Sequence, residues 1–288
     1  MAFLSMESLC KVAAESNISL FEAVLRDDCA ESGTTREASL GKMAHLWDVM
    51  KNTAKTYDKN AHSASGLAGG DADKYKAYTE SGNALIGTFV STVMYYALST
   101  AESNACMKRI VAAPTAGSCG VLPAVLIPYA ARFSTSDERI VEALYVAAGI
   151  GSVIASRASI SGAECGCQAE IGVASAMAAG ALVYLQGGTG EQVCTAVAIA
   201  LKSLLGLVCD PVAGLVEVPC IKRNVIGSVN AVTSADMALS GIESRIPADE
   251  VIDAMKAVGS TMPESLRETS KGGLAATPTA HRIAEKLS

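Results

Sequence analysis

The sequence predicts an all-α fold, a large helical domain of Ala- and Gly-rich helices packed closely, with glycine-rich loops gathered at one site. Three observations carry that reading. A Gly- and Ser-rich turn followed by an apolar, Ala-rich helical stretch recurs through most of the chain. The alternating β-branched runs closed by Asn-Gly or Asp-Gly that mark hairpins are absent. Hydrophobic residues make up 50% of the 288, yet only one Trp, eight Tyr and four Phe are aromatic. The core must therefore be built of small aliphatic side chains.

Element by element, the first sixty residues differ from the rest. They hold large aromatic and charged residues such as Phe3, Phe21, Trp47 and Asp48. Ser19-x-x-Glu22 is a capping box that opens a helix over 20–26. Leu40, Met43, Leu46, Trp47 and Met50 fall at helical spacing within 40–57. A glycine-rich loop at 63–71 precedes a long apolar helix over 82–101. Residues 109–113 are the one strand candidate. A glycine turn at 115–120 opens the next apolar helix. Thr135-x-x-Glu138 caps a helix over 138–155, Thr189-x-x-Gln192 one over 191–205, and Thr261-x-x-Glu264, with Pro263 in the first turn, opens another. At about 150 residues per domain the length allows two domains. No low-complexity linker or fixed-period repeat divides the chain. The expectation is one continuous domain over 1–288, with a helical layer (1–60) packed on a helical core (61–288).

Composition narrows the function classes. Charged residues are 18%, against about 25% in average proteins, so disorder is excluded for the whole chain. The net charge is −6, and Lys108-Arg109 and Lys222-Arg223 are isolated basic pairs, which is no footprint for nucleic acid. Two stretches, 110–131 and 171–190, lack charge over a membrane's width. Pro114, Pro123 and Pro128 break the first, Gly187 and Gly188 end the second, and no aromatic belt flanks either. Enclosed core helices and no membrane span are expected. Glu7, Lys11 and Glu15 interrupt any signal core, so a cytoplasmic location with reduced thiols is expected.

Nine cysteines stand against three histidines, and none of the histidines lies between His62 and His281. No C-x2-C pair supports a zinc ribbon. Cys209 and Cys220 flank an irregular segment kinked by Pro211, Gly214 and Pro219, and Cys167 precedes a helix. Thiolates on such loops suit an iron–sulfur centre; the alternative is buried, inert cysteine.

Four runs carry more. They are Ala-Pro-Thr-Ala-Gly-Ser-Cys-Gly-Val-Leu-Pro at 113–123, Gly-Ala-Glu-Cys-Gly-Cys-Gln-Ala-Glu at 162–170, Cys-Asp-Pro-Val-Ala-Gly-Leu-Val-Glu-Val-Pro-Cys at 209–220, and Gly-Gly-Leu-Ala-Ala-Thr-Pro-Thr at 272–279. In this order they resemble the α chain of the iron–sulfur L-serine dehydratases, nearly end to end. The resemblance implies a 4Fe-4S cluster held, by motif, by Cys167, Cys209 and Cys220. Cys119 and Cys165 are left as packed side chains. It also implies β-elimination of water from L-serine to give pyruvate and ammonia, and a β chain bearing a Ser- and His-containing loop that this sequence lacks.

The substrate carboxylate needs donors. A glycine turn opening a helix offers backbone N–H groups, here at Thr115, Gly117, Ser118 and Gly120, with the Ser118 hydroxyl; the alternative is a tight packing turn. Ser65 and Gly66 form a second candidate cradle, or a surface loop. Lys271 faces a carboxylate or solvent. Glu170, His62 and Ser118 are the catalytic candidates. Asn224 and Lys222, close after Cys220, are candidates for orienting the centre. Rival readings are a lyase of the same chemistry acting on threonine or cysteine, a cofactor-free helical scaffold, a transporter, and a pyridoxal-phosphate lyase built on the Gly-Gly-Thr-Gly run at 187–190.

Overall fold

Residues 171–183 have no polar stripe, and the chain answers by enclosing them on every side. The computed structural model describes residues 3–287, so Met1, Ala2 and Ser288 of the expected layer and core lie outside the described residues. Thirteen α-helices are formed among them: α1 (Met6–Glu15), α2 (Leu20–Ser32), α3 (Arg36–Lys55), α4 (Asp71–Glu80), α5 (Thr88–Ala105), α6 (Val121–Phe133), α7 (Asp137–Arg157), α8 (Gly162–Cys165), α9 (Ile171–Leu185), α10 (Gly190–Lys202), α11 (Cys220–Leu239), α12 (Ala248–Thr261) and α13 (Pro278–Leu287). No strand is formed among the described residues, so the fold is all-α. One isolated parallel bridge pairs Cys209 with Arg267.

The axis is α9, buried at every position from Ile171 to Val183. A helix apolar all round is stable only when enclosed. Helices α6, α7, α10 and α11 pack around it. Small residues permit the approach: a Cβ on Gly151 of α7 would lie 2.9 Å from the Met177 sulfur of α9. Asn230 of α11 donates to Ser175 Oγ (2.8 Å) on α9 and to the Ala200 carbonyl (2.9 Å) on α10, fixing the register of three helices. Three windows, Ala116–Phe133, Asp137–Arg157 and Cys167–Leu185, are long and apolar enough to cross a membrane by length and composition, and the fold itself buries 61%, 67% and 83% of them.

Helices α2 and α3 lie against α7. Trp47 Nε1 and Lys51 Nζ of α3 both donate to Asp137 at the start of α7, each at 2.6 Å. On the other side, Glu102 of α5 is 1% exposed. It accepts from Tyr57 Oη (2.6 Å) and from the amides of Asp71 (2.7 Å) and Ala72 (3.3 Å). A carboxylate at a helix N-terminus meets unpaired amides and the positive end of the dipole, so the end of the 63–71 loop is anchored where α4 starts. Asp71 in turn pairs with Lys222 of α11 at 2.5 Å.

Several elements differ from the sequence expectation, each for a local reason. The helix expected from residue 82 starts at Thr88, because Gly82 takes a left-handed φ of 78° and breaks the chain after α4. Residues 109–113 are not a strand; the Arg109 carbonyl accepts from Thr53 Oγ1 of α3 at 2.8 Å instead of a ladder partner. Thr261 opens no helix. It ends α12, its hydroxyl donates back to the Val258 carbonyl at 2.9 Å, and only a short 3-10 turn follows at Glu264–Leu266. The capping box at Thr189 and Gln192 is formed in full. At α7 the cap is Ser136 rather than Thr135: Ser136 Oγ accepts from the Arg139 amide at 3.4 Å.

That last difference is measurable. Ser136→Ala is expected to cost about 1 kcal/mol in urea unfolding, and Thr135→Ala less than about 0.5 kcal/mol. The opposite order would return the cap to Thr135.

Candidate active site

Three segments meet where α9 begins: the turn at 115–120, the run at 162–170 and the loop at 209–220. Gly166 (φ 72°) lets the chain reverse after α8, and a Cβ there would stand 2.7 Å from the Met262 sulfur and 2.9 Å from the Leu207 carbonyl. The reversal places Cys167 in a short 3-10 turn before α9. Gln168 locks that turn. Its amide donates to the Leu207 carbonyl (3.0 Å), its Nε2 to the Met255 carbonyl (3.0 Å), and its Oε1 accepts from the Gly206 amide (2.9 Å). Cys209 is held on both sides of its peptide: its amide donates to the Leu266 carbonyl (2.8 Å) and its carbonyl accepts from the Glu268 amide (2.7 Å). Cys220 is the first residue of α11. The three sulfurs thus sit on braced, irregular backbone, with Cys167 2%, Cys209 3% and Cys220 9% exposed.

Their electrostatics are shared. Burial pushes the Cys167 thiol up to about 11, with the Arg223 guanidinium opposing the rise. Burial pushes Cys220 up to about 12, with the charges of Cys167 and Glu170 adding to it. Cys209 is also pushed up, by burial first and then by Glu170, Cys167, Glu268 and Cys220. Cys209 is thus raised by both of the other thiols, and Cys220 by Cys167. Such a set resists ionising alone and ionises readily beside a cationic centre. Among the described residues no group of three or more His, Cys, Asp or Glu side chains is drawn together to hold one metal ion. A polynuclear centre needs a looser arrangement, because each cysteine binds a different metal atom. The donor set fits that case: three buried thiols on kinked loops, in mutual electrostatic reach, with a guanidinium beside them.

Glu170 closes the group. Its Oε1 accepts from Thr115 Oγ1 at 2.7 Å, and Cys209 Sγ lies 3.8 Å from its Oε2. Burial raises its carboxyl above the usual range, the Thr115 hydrogen bond lowers it, and the Glu268 charge raises it again. Gly162 leaves room for this contact, since a Cβ there would come within 2.7 Å of Glu170 Oε2 and 3.1 Å of Cys209 Sγ.

The expected site residues divide between this group and its surroundings. Thr115, Glu170, Cys167, Cys209 and Cys220 are brought together. Gly117 lies alongside, where a Cβ would be 3.4 Å from Glu170 Oε1 and 3.6 Å from Val216 Cγ1. Ser118 is fully buried, and its hydroxyl is bonded inside its own turn to the Thr115 amide and carbonyl, both at 3.3 Å. The Gly120 amide donates to Asn224 Oδ1 at 2.9 Å, while Asn224 Nδ2 donates to the carbonyls of Gly117 (2.7 Å) and Cys220 (2.9 Å). Asn224 is thus the clamp between the glycine turn and Cys220. Lys222 points to Asp71.

The second glycine loop adjoins the same segment. Ser63 Oγ and Ser65 Oγ both donate to Glu217 Oε2, at 2.8 and 2.7 Å. Gly66 turns the exposed tip with φ 74°. His62 is exposed, with Nδ1 3.0 Å from the Asn60 carbonyl. Lys271 is exposed and pairs with Glu264 at 3.3 Å.

Three residues of the site were not singled out from the sequence. Glu217 anchors the 63–68 loop. Arg223 pairs with Asp210 at 2.8 Å and donates to the Val208 carbonyl at 2.7 Å. Asp210 also accepts from the Leu274 amide at 2.7 Å, tying the 272–279 run to the cysteine loop. The available signal was two acids inside an otherwise uncharged segment, at 209–220.

Comparison with known proteins identifies a family. A family model described as "Serine dehydratase alpha chain" matches residues 15–275. The "Probable L-serine dehydratase, alpha chain" of Bacillus subtilis is 47% identical over 285 residues, covering 99% of this chain and 95% of that protein. The "L-serine dehydratase, alpha chain" of Peptoniphilus asaccharolyticus is 44% identical over 273 residues, 94% of each. The "L-serine dehydratase" of Haemophilus influenzae is 39% identical over 283 residues, which span 95% of this chain and 61% of that longer protein.

Replacing the clamp tests the architecture. Asn224→Ala leaves the buried Gly120 amide and Gly117 carbonyl without their partner, an expected loss of about 1–3 kcal/mol in urea unfolding. A change below about 0.5 kcal/mol would mean the turn does not depend on it.

Proposed function

The chain belongs to the serine dehydratase alpha-chain family, and from that premise we propose that it is the α subunit of an iron–sulfur L-serine dehydratase, a lyase that removes water from L-serine and releases pyruvate and ammonia. The observation that carries the reading is the meeting of Thr115, Glu170 and three buried thiols at the head of α9. Cys167, Cys209 and Cys220 would hold a 4Fe-4S cluster. When bound, it supplies a Lewis-acidic iron to the hydroxyl that must leave.

The rest of the chemistry belongs to the protein's own residues. Loss of hydroxide from serine requires removal of the Cα proton, which is only weakly acidic. Glu170 is the base we assign: Thr115 fixes its Oε1 at 2.7 Å, leaving Oε2 on the side of the thiols. We assign the substrate carboxylate to the 115–117 stretch of the glycine turn, whose Gly117 lies beside the side chains of Glu170 and Val216. The 63–68 loop, held by Glu217 next to Val216, forms the adjoining wall with Ser65 and Gly66. Ser118 braces the turn rather than touching substrate. Asp210 and Arg223 hold the cysteine loop and keep a positive charge beside the thiols, which favours their ionised form. His62, exposed on the same loop as Ser65, is the second candidate base, and Lys271 is the outermost candidate for carboxylate binding.

A β chain completes the enzyme in this reading. The Bacillus and Peptoniphilus proteins are named alpha chains, and the Haemophilus protein has a further portion beyond the part this chain covers. We place the enzyme in the cytoplasm, away from membrane and nucleic acid. Nine free thiols suit a reducing compartment.

Pyruvate release from L-serine tests the proposal, using anaerobic, iron-loaded α chain with and without its β chain. Turnover is expected with both and to fall sharply with α alone. No pyruvate from the complete pair would contradict the lyase assignment, and full turnover by α alone would remove the β chain from it. Glu170→Gln is expected to lower kcat by about 100-fold or more with KM little changed, whereas His62→Gln leaves kcat within about threefold. If His62→Gln takes the large loss instead, the base is His62.

A further inference from the structure

Two thiols that the site does not use stand against each other between α1 and α10. Cys10 of α1 and Cys194 of α10 have sulfurs 3.2 Å apart. Cys10 Sγ also donates to the Gly190 carbonyl (3.4 Å), and Cys194 Sγ lies 3.9 Å from the Met6 carbonyl. Gly190 makes the approach possible, because a Cβ there would meet Cys10 Sγ at 3.3 Å and its Cβ at 3.4 Å. Both thiols are half-buried, in contrast to Cys167, Cys209 and Cys220, which are buried. They line a surface cleft of about 770 Å³ together with Glu191, Ser244 and Asp249, so a small reagent has access.

We propose that Cys10 and Cys194 are an oxidative modification site that closes to an intramolecular disulfide by exchange with a small-molecule disulfide of the glutathione type. A disulfide has an S–S bond of about 2.05 Å, so the sulfurs close by about 1 Å, within reach of side-chain rotation. The Cys10 thiolate attacks one sulfur of the reagent. The reagent's S–S bond breaks, and the first thiolate leaves and takes up a proton. Cys194 gives its proton to water and attacks the Cys10 sulfur, expelling the second reagent thiolate, which is protonated in turn. Two protein thiols are oxidised and one reagent disulfide is reduced to two thiols. The hydrogen bond from the Cys194 thiol lowers the pKa of Cys10, against the effects of burial and the Asp249 charge, which agrees with Cys10 as the attacking sulfur. The bond staples α1 to α10. In the reduced chain α1 is held at its start by Asp249 of α12, which accepts from the amides of Met6 (2.8 Å) and Glu7 (3.1 Å).

The test is peptide mapping of the full-length wild-type chain. The chain is purified reduced and anaerobic, exposed to oxidised glutathione, alkylated and digested. The expected product is a linked pair of peptides carrying Cys10 and Cys194, lighter by about two hydrogen masses, reversed by a dithiol and accompanied by a higher melting temperature. Cys10→Ser and Cys194→Ser should each abolish the linked pair and the rise in melting temperature. Alkylation of both residues, a lasting glutathione adduct on Cys10 with Cys194 alkylated, or linkage only among Cys167, Cys209 and Cys220 would each overturn the proposal.

Discussion

The constraint on which the rest depends is the enclosure of α9. A helix without a polar face has to be covered on all sides, and α6, α7, α10 and α11 do this. Once it is covered, only its ends can carry chemistry. The N-terminal end, at residues 167–170, is where the chain arrives through the Gly166 reversal, and that is where the thiols, Glu170 and Thr115 gather. The Ala- and Gly-rich composition and the position of the site therefore have one cause.

Around that point the protein relies on a few buried polar side chains that make several hydrogen bonds each. Asn224, 1% exposed, spends both donor hydrogens on the Gly117 and Cys220 carbonyls and accepts from Gly120. Gln168, equally buried, does the same for the turn bearing Cys167. Glu217 and Asp210 each fix one remote segment, the 63–68 loop and the 272–279 run, to the cysteine loop. Buried polar networks of this kind hold a unique arrangement only while every member is paired. The cysteine loop, kinked by Pro211, Gly214 and Pro219, has little regular structure of its own and takes its shape from these partners.

Legibility in the sequence followed the distance between partners. The Thr189–Gln192 cap was legible because its two side chains satisfy each other three residues apart. Thr135 and Thr261 show the limit of that rule: the same spacing occurs, but Ser136 makes the cap in the first case, and the hydroxyl turns back into its own helix in the second. The all-α class was legible from the small-residue helices and the absence of hairpin signals. The cysteine loops and Glu170 were legible through four runs with a family likeness. Glu217 was not, because Ser63 and Ser65 lie about 150 residues away and nothing local marks their meeting. Ser118 was read as a substrate donor or as part of a tight packing turn; its hydroxyl is bonded within that turn.

The central claim is that Cys167, Cys209 and Cys220 act as one cradle. It is tested most directly by an absorption spectrum with iron and sulfide analysis of anaerobically purified chain, wild type beside Cys167→Ala, Cys209→Ala and Cys220→Ala. The account predicts a broad visible band with about four irons per wild-type chain, lost in each of the three variants. A wild-type chain that stays colourless after reconstitution with iron, sulfide and its β chain, or a band that survives all three substitutions, would contradict it.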